Sequence, residues 1–198
     1  MEVKLNIPTK LSEITLKQYK KFLIVHEENS DVNFIQAKMI EIFCGISHKL
    51  ATLMKYSDVE EITGNINKLF LSKPQLITTF KIKEKEYGFV PNLDDMTLGE
   101  YIDLDSFTGE YKNIEVAMNV LYRPIEAKLN GKYSINKYDP ETKDDMLEMP
   151  MDAVISSLFF FLNLGIELSQ ITLNSLAKPQ ITQLEEYKHF QQNMDGIN

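Results

Sequence analysis

The sequence predicts an α+β protein that is mainly helical and carries a small antiparallel sheet. Apolar residues recur at helical spacing over several long ranges, as in residues 33–44. Two short runs rich in apolar and aromatic residues flank the charged segment 83–86, KEKE, an arrangement typical of a β-hairpin. The length of 198 residues and the hydrophobic content of 43% suit one folded domain or two small ones.

The first part of the chain is expected to hold one strand and three helices. Residues 3–7 alternate polar and apolar side chains and stop at Pro8, which predicts a short strand. Three ranges place apolar residues on one helix face: 16–25, 33–44 and 58–71. Gly45 and Pro74 are typical stop signals for the last two helices.

The second part begins with a hairpin and continues with helices. The hairpin is expected to pair 76–82 with 87–90. The elements predicted after it are helices at 98–104 and 114–121, a strand at 133–138 and a long apolar helix at 152–176. We therefore divide the chain into 1–74, a second part 75–177 packed with the first as one globule, and a polar C-terminal tail 178–198.

An internal repeat of a strand-helix-helix-helix unit is a further hypothesis. Ile7-Pro8 precedes Thr15-Leu16-x-x-Tyr19, and Val90-Pro91 precedes Thr97-Leu98-x-x-Tyr101. Each threonine has a Gln or Glu three residues later, Gln18 and Glu100, which is the spacing of a helix capping box. Chance reuse of a common local solution is the alternative explanation.

Charge and composition argue against several classes of function. The net charge is −8, and only one of the 21 basic residues is an Arg, Arg123. Nucleic-acid surfaces neutralise phosphates with many Lys and Arg residues, so direct nucleic-acid binding is not expected. The lone cysteine, Cys44, suits a reducing compartment. Polar residues interrupt the most apolar run, 153–168, so neither a membrane span nor a leader at 1–8 is expected.

The acidic segment 87–107, YGFVPNLDDMTLGEYIDLDSF, raises the question of a metal site. A calcium loop that starts at Asp94 would need oxygen ligands at its third and fifth positions, where Met96 and Leu98 stand. We therefore expect Asp94, Asp95 and Glu100 to stabilise the positive end of the helix dipole at a helix N-terminus. Three carboxylates beyond the cap remain candidates for contact with a partner: Asp103, Asp105 and Glu110.

No catalytic, metal or cofactor site is expected. His26, His48 and His189 lack metal-ligand spacing, and glycine motifs for nucleotides or hydrolases are missing from the sequence. A nucleophilic pair of Cys44 with His48, one helical turn away, is the alternative that we keep. Otherwise the chain is predicted not to be an enzyme.

Two further features are candidates for partner binding. Arg123 precedes Pro124 at a predicted helix end. It would cap the carbonyls of the last turn or bind a carboxylate of the acidic segment, and an acidic group of a partner is the alternative. Phe159, Phe160 and Phe161 are consecutive, so they spread around more than half of a helix. Such a helix lies either in the core or in an interface.

Four stretches carry a resemblance to a known class of proteins: 83–107, 117–125 (AMNVLYRPI), 133–142 (YSINKYDPET) and 149–168. Together they resemble small proteins encoded among the head and tail genes of tailed bacteriophages. The hairpin followed by TLGEYIDL is similar to tail-assembly chaperones. The resemblance covers about half of the chain, residues 76–176.

The resemblance implies a non-enzymatic virion or assembly protein, acting as a chaperone or as an internal or connector component. Its partners would be other phage structural proteins, with a homo-oligomer as a further expectation. It would work in the host cytoplasm during assembly, and the virion is a second location. The alternative is a small acidic inhibitor of a host nucleic-acid enzyme, in which Asp94, Asp95, Asp103 and Asp105 would line one exposed face.

Overall fold

The computed structural model describes residues 5–108, 113–141, 145–161 and 163. Within them the chain forms seven α-helices and a four-stranded antiparallel sheet, which confirms the predicted α+β class. The helices are α1 (Leu16–Glu28), α2 (Val32–Cys44), α3 (His48–Ala51), α4 (Tyr56–Phe70), α5 (Leu98–Thr108), α6 (Ile114–Leu121) and α7 (151–161). The strands are β1 (Thr79–Ile82), β2 (Lys85–Phe89), β3 (Tyr122–Leu129) and β4 (Lys132–Ile135).

The chain divides into two compact units, Met1–Leu158 and Phe159–Asn198. The sheet, α1–α6 and residues 151–158 of α7 all belong to the first unit. The two predicted parts, 1–74 and 75–177, therefore share the first unit as far as residue 158. The predicted helix at 152–176 begins as expected, but its residues from 164 onward and the tail 178–198 lie outside the described residues.

Helix α1 begins and α2 ends at the predicted signals, whereas α4 ends at Phe70, before Pro74, and α3 was not predicted. Thr15 caps α1 through a capping box, in which the Thr15 hydroxyl accepts from the Gln18 amide and the Gln18 side chain accepts from the Thr15 amide. Gly45 ends α2 in the left-handed conformation with a φ of 71°. Apolar faces of α1, α2 and α4 then pack together through the rings of Tyr19, Phe43 and Phe70.

The sheet has the order β1-β2-β3-β4. The first hairpin confirms the predicted pairing, and its turn places Lys83 at a φ of 55°. Strand β3 was missed by the sequence prediction, although it pairs with both β2 and β4. The turn between β3 and β4 is Asn130-Gly131, and both residues have a positive φ. The Asn-Gly pair is the strongest sequence signal for a two-residue hairpin turn.

Two predicted strands need correction. Residues 5–7 form no strand, and Val3 and Lys4 lie outside the described residues. The pairing at this end of the chain instead involves Ile14–Leu16, whose neighbours are Met149 and Met151: Leu16 N donates to Met149 O over 2.9 Å and Met151 N donates to Ile14 O over 2.9 Å. Ile14, Leu16, Met149 and Met151 are all buried. The backbone pairing therefore forms where these apolar side chains enter the core. The strand expected at 133–138 is also shorter and ends at Ile135.

Tyr122 lies where helix α6 passes directly into β3. Its ring is fully buried, and its hydroxyl donates to the backbone oxygen of Ile77 over 2.7 Å. The rings of Phe80 and Phe89 contact it edge-on, with centroids 5.0 and 5.2 Å away. Burial raises the pKa of the Tyr122 phenol. Because no linker separates α6 from β3, the position of the helix fixes the start of the strand.

Replacing Gly88 with Ala should destabilise the sheet. A Cβ atom at Gly88 would lie 2.5 Å from Cε2 of Tyr133. The Tyr133 ring cannot move away freely, because its hydroxyl donates to Phe89 O over 2.8 Å and to Thr78 O over 3.2 Å. We expect a loss of about 1–3 kcal/mol in the free energy of unfolding, measured by chemical denaturation.

The matched control is Gly64→Ala in α4. A Cβ atom there meets nothing within 4 Å, so Ala should stabilise the helix by about 0.5–1 kcal/mol. If both substitutions change the free energy of unfolding equally, the Tyr133 ring moves away from the new Cβ atom without cost.

Candidate functional site

Helix α5 begins with the second predicted capping box. The Thr97 hydroxyl accepts from the Glu100 amide over 3.3 Å, and Oε2 of Glu100 accepts from the Thr97 amide over 2.6 Å. The same oxygen accepts from the Thr97 hydroxyl over 2.8 Å. The prediction that residues 97–100 serve to start a helix is therefore confirmed.

The second carboxylate oxygen of Glu100 binds the only arginine of the chain. Nη1 of Arg123 lies 2.9 Å from Oε1 of Glu100, and the two side chains are 13% and 5% exposed. This confirms the prediction that Arg123 binds a carboxylate of the acidic segment. Nε of Arg123 is buried and has no hydrogen-bond partner among the residues that the structure describes. The pair joins the first turn of α5 to the start of β3.

The two capping boxes differ in what their remaining side-chain atom does. In the first box Nε2 of Gln18 donates to the carbonyl of Ile42 over 2.9 Å. In the second box the corresponding atom is the Oε1 of Glu100, which faces a cation. An amide suits the carbonyl and a carboxylate suits the guanidinium, so each residue type matches its tertiary partner. Beyond the boxes α2 ends at Gly45, whereas α6 enters a strand, and the repeat stays a hypothesis.

A second polar contact holds the opposite end of this region. Oδ2 of Asp103 accepts from the Tyr138 hydroxyl over 2.7 Å. Burial raises the pKa of Tyr138, and the Asp103 carboxylate adds to that rise by accepting the phenolic proton. Asp103, expected at a partner surface, is thus used inside the chain. The side chain of Asp105 and all of Glu110 lie outside the described residues.

A cleft of about 490 Å³ lies beside this cluster. It is bounded by the turn before α5, by the start of β3 and by the chain that leaves β4. Its lining residues are Val90, Pro91, Asn92, Asp95, Met96, Thr97, Glu100, Arg123, Ile135, Lys137 and Tyr138. The hydroxyl groups in this lining already have partners, since Thr97 donates to Glu100 and Tyr138 donates to Asp103.

Helix α5 exposes apolar side chains on the surface of the protein. Leu98 is 75% exposed, Tyr101 is 61% exposed and Ile102 is 52% exposed. Their spacing of three and four residues places them on one side of the helix, and we call these three residues the apolar strip. The buried residues of α5 include Glu100 and Leu104. The helix therefore buries a carboxylate while it presents apolar residues to solvent, the reverse of the usual arrangement.

The predicted Cys44–His48 pair is not a plausible nucleophile. Cys44 is buried, and burial raises the pKa of its thiol to about 11. His48 packs its ring edge-on against Phe34, with centroids 5.4 Å apart. His189 lies outside the described residues. A buried thiol that stays protonated near neutral pH has neither the access nor the charge that nucleophilic catalysis needs.

The part of the chain that the structure covers shows neither a metal cluster nor a membrane-spanning helix. No group of three or more His, Cys, Asp or Glu residues there could hold a metal ion. None of the helices described is both long and apolar enough to cross a bilayer. In the second unit Phe159 is exposed, and the rings of Phe160 and Phe161 meet edge-on at 5.6 Å. A partner-binding role of these three phenylalanines stays a prediction.

Exchanging the two capping residues should test the difference between the boxes. Glu100→Gln keeps a residue that can complete a capping box but leaves the buried Arg123 without its counter-charge, which should cost about 3 kcal/mol of stability. Gln18→Glu places a carboxylate against the Ile42 carbonyl and should cost about 1–2 kcal/mol. Urea denaturation measures both.

The control for this pair is Glu61→Gln at an exposed position of α4, where the change should stay within about 0.5 kcal/mol. If Glu100→Gln and Gln18→Glu both keep wild-type stability, the tertiary partners of these two residues contribute nothing and only the capping role matters.

Cys44 should react with a thiol reagent such as DTNB only after unfolding. Its folded-state pKa is raised from an ordinary value of 9.0 to about 11, so the folded state holds the proton more tightly. The stability that this provides is complete below pH 9 and is lost as the pH rises through 11. If the native protein at pH 8 is labelled as fast as a denatured sample, Cys44 is not buried.

The chain matches no protein-family model, no curated protein and no solved structure in the three comparisons made. Neither an activity nor a partner is therefore carried over from a relative.

Proposed function

We propose that this chain is a non-enzymatic assembly or virion protein of a tailed bacteriophage that acts by binding other phage structural proteins. The phage setting is supported by the resemblance of residues 83–107 and 149–168 to small proteins encoded among head and tail genes. The binding mode is supported by the apolar strip on α5. Roles as a tail-assembly chaperone and as an internal or connector component both agree with this proposal.

The apolar strip is the observation that carries the binding proposal. Leu98, Tyr101 and Ile102 are neighbours on one helix side, and each exposes more than half of its surface. Single exposed apolar residues are ordinary, but a contiguous group on one element is typical of a contact surface. Covering one such side chain contributes about 1.5–3 kcal/mol. A partner that covers all three would therefore bind with useful affinity.

The strip cannot turn inward without breaking the interactions beneath it. Glu100 lies between Leu98 and Tyr101 in sequence and is paired with Arg123 on the buried side. Rotation of α5 would separate this pair and leave a charge buried without a partner. The exposed position of the strip is thus a stable property of the fold, as expected for a preformed binding surface.

The acidic-inhibitor alternative has no comparable support. It requires a continuous exposed face of carboxylates, yet the carboxylate of Asp103 accepts the Tyr138 hydroxyl. Asp95 is exposed and accepts from the side chain of Asn92 over 2.9 Å. The side chains of Asp94 and Asp105 lie outside the described residues. An apolar strip in the middle of the segment also does not resemble phosphate.

The test is size-exclusion chromatography with light scattering, applied to the chain alone and in mixtures with purified tail, head and portal proteins of the encoding phage. The wild type should form a complex with at least one of them. Leu98→Ser should weaken that complex about tenfold or more, because it removes apolar area from the contact. Its own stability should change by less than about 0.5 kcal/mol, since Leu98 is mostly exposed.

The matched control is Leu71→Ser at the end of α4, where the side chain is 79% exposed but lies outside α5. This variant should bind like the wild type. A strict monomer that binds none of these proteins would refute the proposed function.

A further inference from the structure

We infer that the partner of the apolar strip is a basic amphipathic segment, in which apolar residues at helical spacing are flanked by Lys or Arg. The inference rests on the proposed function, because it takes the strip as the binding surface, and it adds the chemistry of what binds there. It follows from the charges around the strip, from the aromatic ring within it and from its spacing.

The charge of the segment that carries the strip is one-sided. Residues 93–108 contain five carboxylates, at positions 94, 95, 100, 103 and 105, and no Lys, Arg or His. Arg123 neutralises Glu100, and Lys137 lines the adjoining cleft. The five carboxylates of the segment outnumber these two cations, so its net charge stays negative. Complementary potentials favour a partner that brings positive charge to the rim of this surface.

Tyr101 adds a second reason to expect cations. Tyr101 stands in the middle of the strip and is 61% exposed. A Lys ammonium or Arg guanidinium over a tyrosine ring gains a cation–π contact. The long side chains of Lys and Arg also cover apolar area with their methylene stems. One basic residue of the partner can therefore contact the ring and cover apolar area of the strip at the same time.

The length and spacing of the strip fit a helical partner. Leu98, Tyr101 and Ile102 follow the i, i+3, i+4 pattern along a helix of 11 residues, which spans about 16 Å. A second helix laid along it can interleave apolar residues of the same spacing. Recognition of amphipathic helices by an apolar surface with charged margins is a common binding mode. The strip itself covers about one helical turn, and a partner helix that runs along the whole of α5 would be about three turns long.

A second copy of this chain is a poor occupant for the same surface. A two-fold symmetric contact through α5 would bring the acidic segments 93–108 of two copies together. Like charges brought together in an interface oppose association, and each chain carries a net charge of −8. The charge pattern therefore favours a different protein.

The experiment measures fluorescence anisotropy of labelled peptides of about 15 residues, long enough to form a short helix against a surface. One peptide has a leucine face with Lys at the remaining positions, a second has Glu in place of Lys, and a third is a scrambled Lys peptide without an apolar face. Each is titrated with the full-length wild type and with Leu98→Ser, Leu71→Ser and Asp95→Asn. Circular dichroism confirms that each variant is folded.

The leucine–lysine peptide should bind the wild type and Leu71→Ser equally and should bind Leu98→Ser about tenfold more weakly. Asp95→Asn should weaken it about two- to fivefold, as expected for the loss of one exposed ion pair, and added salt should weaken it further. The Glu peptide and the scrambled peptide should bind at least about tenfold more weakly than the leucine–lysine peptide.

Several results would overturn the inference. Equal binding of the Glu peptide would remove the need for positive charge, and equal binding of the scrambled peptide would reduce the effect to net charge alone. An unchanged affinity of Leu98→Ser would place the contact elsewhere. A concentration-dependent dimer of the wild type that Leu98→Ser abolishes would identify a second copy as the occupant.

The two proposals fail in distinguishable ways. If phage structural proteins bind through Leu98 while the leucine–lysine peptide does not, the proposed function stands and the basic partner is wrong. If the peptide binds through Leu98 while no phage structural protein does, the surface is assigned correctly and the phage role is wrong.

Discussion

The ion pair between Glu100 and Arg123 constrains the surface on which the proposed function depends. Burying two charges is favourable only while they stay together, because separation leaves a charge in a poorly hydrated place at a cost of several kcal/mol. Glu100 stands in the first turn of α5 and also closes the helix cap. One side chain therefore fixes both where the helix starts and how it is rotated. The outward position of Leu98 and Tyr101 is the geometric result.

The other half of the pair is held just as firmly. Arg123 follows Tyr122, which is fully buried and donates to the backbone of Ile77. Helix α6 enters β3 at this point without a linker, so Arg123 has little freedom along the chain. Helix α5 is thus anchored to a buried junction of the first unit. A partner bound to α5 would meet a surface that is rigid before contact, which reduces the entropy lost on binding.

Local patterns predicted much of this arrangement, and tertiary contacts decided the rest. Helical periodicity and the Thr-x-x-Gln/Glu spacing identified both caps and every described helix except the single turn α3, because these features depend on neighbours in sequence. Strand β3 was missed although residues 125–129 alternate apolar and polar side chains and the turn Asn130-Gly131 follows them. Pro124 within the run argues against a central strand, and only the pairing with β2 and β4 shows that it is one. Periodicity also could not show that α5 turns its apolar residues outward. That choice depends on Arg123, 23 positions after Glu100, and on Tyr138, for which no local signal exists.

The pairing of residues 14–16 with 149–151 has a consequence for synthesis on the ribosome. It joins positions about 135 residues apart, so it forms only after most of the first unit has been translated. At ordinary elongation rates the interval is roughly 7–27 s. Ile14 and Leu16, buried in the finished protein, lack Met149 and Met151 as neighbours throughout that time. The nascent N-terminal helices are thus in most need of protection before the last turns of the unit emerge.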